Sequence, residues 1–180
     1  MAHTILVPSK MASKNVDAWT RPALAQQNMD NGYVFSLTGN EVTSGCEVWT
    51  VQVPTTGSLT NLWMALEPEL PFLASGTNRY NGIGILSDFY VSASLVFTAV
   101  KPQVGDIITV TADMFTSGTA PTTGQFCYAV NGAFTLTAGA ASAAAGNHAW
   151  KFLGYSYLPS ADGSIGSGRI VTYKLECMVA

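Results

Sequence analysis

Two histidines, three cysteines and eleven acidic residues are the groups in this 180-residue chain best suited to chemistry. His3 lies near the N-terminus, and His148 lies in Asn147-His-Ala-Trp150, just ahead of a strand pattern. Neither belongs to an HxH or HExxH spacing, which would put two ligands on one face for a metal. A Ser–His–Asp set built from His148 and one of the many serines would lack the Gly-x-Ser-x-Gly turn that presents a nucleophile. His148 therefore reads as a loop or strand-edge residue. Glu67 and Glu69 flank Pro68 and share a turn. A glycosidase holds its two carboxylates about 5–10 Å apart across a cleft, and nothing favours a distant pair such as Glu47 with Asp113. Gly82-Ile-Gly84 is followed by neither a third glycine nor Lys-Ser/Thr, so it is no phosphate cradle. Cys46, Cys127 and Cys177 are odd in number and show no metal spacing. Each sits in an apolar strand pattern and is expected as a buried free thiol. The reading is a protein that is not an enzyme and carries no cofactor and no metal. The aromatics Trp19, Tyr80, Tyr90 and Tyr155 suit a sugar platform, a core or an interface equally well.

Charged residues make up only 11% of the chain and apolar residues 48%; charged residues are about 25% of an ordinary soluble domain. Thr, Ser, Gly, Ala and Asn take the place of charge. Charge normally keeps surfaces apart, so a sparsely charged, Thr-rich surface suits a protein built into an assembly or one that lives outside cells. A net charge of −3 argues against nucleic acid as a partner. The charge is uneven: residues 1–21 carry a net +2, residues 22–78 a net −5 with no base, and the remainder balances. The basic segment either reaches a neighbouring acidic surface, such as that of an adjacent copy, or is a frayed end of no consequence. No apolar run approaches the ~20 residues of a membrane span. Residues 1–7 have neither a basic leader nor a long apolar core before Pro8, which predicts synthesis in a cytoplasm without export by the general secretion route.

The elements that must position any site read as strands. Phe89, Val91, Ala93, Leu95 and Phe97 alternate with polar residues, with Val96 the exception, and Ile108, Val110, Ala112 and Met114 share a face opposite Thr109, Thr111 and Asp113. Period two marks half-buried strands, and β-branched residues suit them. The intervening residues 101–106, with Pro102 and Gly105, predict a turn that joins the two as a central sheet pair, and Asp106 is expected to take backbone donors of that turn. Asn131-Gly132 between residues 125–130 and 133–137 predicts a hairpin. Residues 150–158 read as an aromatic strand. In the last strand Val171, Tyr173, Leu175, Cys177 and Val179 are expected inward, with Thr172, Lys174 and Glu176 outward. Nine or ten strands, no amphipathic helix and no repeat predict an all-β single domain, an antiparallel barrel or sandwich over residues 30–180.

Residues 1–29 lack alternation and read as an extended N-terminal arm. Trp19, in a polar setting, needs a surface to cover it. It either folds back on its own domain or docks on a partner, and the missing alternation tips the reading to the partner. The expected contact residues are Ile5, Leu6, Val7 and Trp19, rimmed by Lys10, Lys14 and Arg21.

Four segments occur in a suggestive order. They are Asp30-Asn-Gly-Tyr-Val-Phe-Ser-Leu37, Glu47-Val-Trp-Thr-Val-Gln-Val-Pro54, Val104-Gly-Asp-Ile-Ile-Thr-Val-Thr111 and Ile170-Val-Thr-Tyr-Lys-Leu175. In that order they resemble small capsid decoration, or cement, proteins of tailed bacteriophages, over residues 30–178. The match is poor over 116–168, and residues 1–29 have no counterpart. The resemblance implies a virion structural protein. It would be made in the host cytoplasm and bound outside the capsid. There it would bridge capsomers of major capsid protein as a homo-oligomer, a dimer or trimer, with no nucleic acid or membrane as partner. The competing expectation is a carbohydrate- or receptor-binding β-sandwich that uses exposed aromatics.

Overall fold

The computed structural model describes residues 3–43, 46–67, 89–116, 120–140, 146–158 and 169–180. The chain is all-β. The described strands are β1 (Leu6–Lys10), β2 (Thr20–Leu24), β3 (Val34–Thr43), β4 (Cys46–Gln52), β5 (Trp63–Ala65), β6 (Val96–Val100), β7 (Ile107–Thr111), β8 (Phe126–Ala129), β9 (Leu136–Gly139), β10 (Ala149–Leu158) and β11 (Ile170–Val179). They form a six-stranded sheet in the order β1-β7-β11-β10-β8-β9 and a closed barrel in the order β2-β4-β3-β5-β6. All pairs of these strands are antiparallel except β2 with β4, and the isolated bridge of Phe115 with Leu136 is parallel as well. Among the described residues no helix is long and apolar enough to cross a membrane.

Period two makes the barrel strands serve two interiors at once. Phe35, Trp63, Ala65, Phe97 and Ala99 point into the barrel. Their sequence neighbours Val34, Met64 and Val100 point outward against Ile108, Trp150 and Leu175 of the six-stranded sheet. A strand apolar on both faces is what such shared walls require.

Residues 3–29 are no free arm, which corrects the expectation for the described part of 1–29. β1 pairs along β7, Leu6 opposite Val110 and Val7 opposite Thr109. β2 lies between β6 and β4 and closes the barrel. Ile5 and Leu6 are 2% and 4% exposed. These segments looked unpatterned because each is only five residues long, too short to show alternation. Backbone pairing with an open edge does not depend on side-chain pattern.

The expected central pair is also corrected. β6 belongs to the barrel, with β2 and β5 as neighbours, and β7 to the sheet, with β1 and β11, so neither has an edge left for the other. The turn between them does form. Asp106 accepts from the backbone N–H of Gln103 and of Ala12, each at 2.8 Å. Gly105, at φ +93, donates its N–H to the Cys177 carbonyl. These bonds fasten the connection to β11 and to the chain after β1, so it crosses between sheets rather than folding back. Ahead of β6, Ser94 at φ +66 interrupts the expected long strand, although Phe89, Val91 and Phe97 are buried as its pattern predicts. The hairpin around Asn131-Gly132 is present, with Ala129 opposite Leu136. Its loop is longer than two residues, and within it the Gly132 N–H is bound to the Pro54 carbonyl. The loops expected over 74–84 and 160–168, and most of the small-residue stretch 138–146, lie outside the described residues.

Candidate interaction surface

The longest ladder in the six-stranded sheet is that of β10 with β11, and it outruns its neighbours. β8 pairs with β10 only at residues 149–151, and the last bond on that side is from the Phe152 N–H to the Gln125 carbonyl. There the register shifts: Phe152 lies opposite Leu175 and Gly154 opposite Lys174, so Leu153 is an extra residue. Gly154, at φ +151, takes the backbone angle this bulge needs. Beyond it β10 and β11 continue as a two-stranded ribbon, Tyr155 opposite Tyr173, Ser156 opposite Thr172 and Tyr157 opposite Val171.

The bulge keeps the interior face of the ribbon apolar. Leu175 and Cys177 are fully buried. Next along that face, Tyr173 meets Phe115 at 5.2 Å and Tyr155 at 5.6 Å between ring centroids. Tyr155 also meets Phe152 at 5.0 Å. Burial, and then the neighbouring Tyr155 phenol, push the Tyr173 phenol up. Further out there is no interior left to cover the face. Tyr155 is 53%, Tyr157 55% and Val171 42% exposed. Arg169, 5.9 Å over the Tyr157 ring, borders the face with a single cation. The surface can bury aromatic area and hydrogen-bond through phenols at small entropic cost.

The residues expected to contact a partner are scattered. Ile5 and Leu6 are interior, and Val7 is half-buried in the β1–β7 ladder. Lys10 and Lys14 are exposed. Trp19 is half-buried, and its carbonyl accepts the Lys101 N–H. The Arg21 guanidinium lies over the rings of Trp49 at 4.3 Å and Trp63 at 5.1 Å. Ile5 and Leu6 are therefore closed to a partner, while Lys10 and Lys14 stay open to one. Of the ribbon residues, sequence reasoning singled out Tyr155 as an exposed aromatic and expected Val171 inward; it missed Tyr157. The available signal was the Tyr-Ser-Tyr alternation at 155–157, ahead of a loop.

His148, Cys127 and Cys177 are spent on structure. His148 is fully buried rather than at an edge, and its Nε2 accepts from Trp150 Nε1 at 2.9 Å. Burial lowers its pKa to about 4. Burial pushes the Cys127 and Cys177 thiols up to about 12, against any thiolate role. A cleft of about 300 Å³ lies between β1 and β6, with Lys14 and Glu67 in its wall. The Glu67 carboxylate accepts the Thr98 N–H at 2.8 Å, however. Glu47 lies on β4 of the barrel and Asp113 in the turn after β7; Glu69 lies outside the described residues. Among the described residues no group of three or more His, Cys, Asp or Glu is placed to hold a metal. Comparison with protein-family models, curated proteins and solved structures finds no match to this chain.

Proposed function

We propose that the chain is a non-catalytic structural protein of a phage particle, bound to the outside of the shell across neighbouring capsomers of major capsid protein. The observation that carries the reading is the apolar face of the β10–β11 ribbon. Tyr155, Tyr157 and Val171 present it to solvent on a chain with only 11% charged residues. Exposed apolar faces of this kind mark attachment surfaces. The four ordered segments that resemble decoration proteins point the same way. Binding works by repetition: each copy buries modest area, and the lattice supplies many neighbours at high effective concentration. Arm docking through Ile5 and Leu6 has no place in it, because those side chains hold the fold together. The test is co-sedimentation of purified protein with shells assembled from the major capsid protein of the same genome. Saturation at a fixed number of copies per shell is expected; failure to sediment at any concentration overturns the reading.

One observation favours carbohydrate binding instead. A recess of about 350 Å³ at the barrel is lined mostly by hydroxyls and amides, among them Ser36, Thr38, Gln52, Thr55 and Asn61, with Leu37, Gly57 and Trp63 as its apolar part. Stacking a sugar needs an open aromatic face, and Trp63 is 8% exposed with Arg21 over its ring. Glycan-array binding that is lost in Trp63→Ala would reinstate this alternative.

A further inference from the structure

The ribbon has an open backbone edge as well as an apolar face. Past residue 152 no described strand pairs with the outer side of β10. Parity decides which groups are left there. The Cys177 N–H and C=O bond toward the chain around Asp106, on the β7 side, so the odd residues of β11 point away from β10. Tyr155 opposite Tyr173 and Tyr157 opposite Val171 are therefore the pairs that do not bond each other, and their N–H and C=O groups point to the open edge. Gly154, Ser156 and Leu158 bond inward to β11. Among the described residues, two donors and two acceptors are left without a strand.

We propose that two copies of the chain pair antiparallel along this edge, about a two-fold axis at Ser156. Only that register uses all four groups. Ser156 then faces Ser156 of the second copy, and each Tyr155 exchanges two hydrogen bonds with Tyr157 opposite. Four backbone bonds form and no outward group of 155–157 is left over. The sequence suits the symmetry, because Tyr155-Ser156-Tyr157 reads the same in both directions, as an isologous contact requires. The common protections of a free edge are missing: residues 152–158 contain no charge and no proline. The ladder shifts register at Ala149/Trp150 and again at Leu153, and 155–158 beyond both are regular. Pairing joins two six-stranded sheets into one and aligns four tyrosines on the apolar face, doubling the width that face offers. It goes beyond the capsid reading and does not rest on it, since it concerns the chain alone in solution.

The contact is small by the standard of stable complexes, so the dimer is expected to form reversibly with rising concentration. Sedimentation velocity on the full chain should show the 19.0 kDa monomer give way to a species of twice that mass between about 10 μM and 1 mM. Ser156 is exposed, so Ser156→Glu and Ser156→Lys should fold as the parent does. Each should weaken pairing at least tenfold by placing like charges face to face, and mixing the two should restore it. Residues facing across such a site have Cα atoms about 4.5 Å apart, within disulfide range. Ser156→Cys in a Cys46→Ser background should thus oxidise to a covalent dimer, and Lys151→Cys should not. A parent that stays monomeric up to 1 mM overturns the proposal. So does a dimer that survives both charge variants, or a Ser156→Cys chain that does not cross-link.

Discussion

Tyr155 and Tyr173 face each other across β10 and β11 with ring centroids 5.6 Å apart, yet Tyr155 is 53% exposed while Tyr173 packs against the interior. The pair marks the point where one continuous apolar face stops being core and becomes surface. Inward of it, Phe152, Leu175 and Cys177 are buried by the barrel; outward of it, Tyr157 and Val171 are not. A folding requirement accounts for the first group and not for the second.

Polar replacement of the outer group should therefore leave the fold unharmed. Tyr157→Ser and Val171→Thr are expected to change unfolding free energy by no more than about 0.5 kcal/mol, as exposed sites do. Shell binding should fall at least tenfold. Urea titration and co-sedimentation of the same preparations check this; a loss of stability above 2 kcal/mol would make these residues structural (roughly the scale of a core deletion).

The opposite holds for the N-terminal segment. Leu6 is 4% exposed in the interior between sheet and barrel. Leu6→Ala should cost about 2–5 kcal/mol. Deleting residues 1–29 removes one strand from the sheet and one from the barrel, and the product should lack the cooperative thermal transition of the full chain. A truncated protein that melts like the parent would restore the free-arm expectation.

His148 ties stability to pH. Its folded pKa is about 4, lowered from 6.5 by burial. Between those values the unfolded chain holds a proton that the native chain excludes. Stability from this group is thus complete above pH 6.5 and is lost as pH falls to 4, at about 1.4 kcal/mol per unit and roughly 3 kcal/mol in all. Protonation would also remove the Nε2 acceptor that Trp150 uses. Urea midpoints at pH 7.5, 6 and 4.5 should fall steeply for the parent and less for His148→Gln, which keeps an acceptor. Equal slopes would show that the dependence arises elsewhere.

Cys127 and Cys177 should be inert in the native protein. Both are fully buried, and burial holds both thiols near 12. At pH 8 neither should react with an aromatic disulfide reagent within minutes, and both should react after unfolding in guanidinium. Native reaction at Cys127 would show that the interior near β8 opens readily.

The fold class was legible because alternation survives in the sequence. Phe97 with Ala99, Ile108 with Val110, and Leu175 with Cys177 repeat at period two and are buried as that period predicts. Pairing was less legible. β6 and β7 adjoin in sequence with a turn between them, yet the Asp106 carboxylate and the Gly105 N–H bind chain that is distant in sequence. Such partners leave no mark on local pattern. The short strands β1 and β2 were missed for the reason that makes them possible: an open edge selects backbone rather than side chains. Val171 shows the limit from the other side. Alternation predicts it inward and Thr172 outward, yet Val171 is 42% exposed and Thr172 is fully buried, because at this end the face that carries Tyr173 has run out of interior while the opposite face is covered.

Attachment of the ribbon face to the outside of a shell, as proposed, is open to direct imaging. Electron cryo-microscopy of shells saturated with the protein tests it most directly. Added density is expected on the outer surface, over junctions between capsomers, with Tyr155, Tyr157 and Val171 turned toward the shell. Shells without added density, or density with that face turned to solvent, would contradict it.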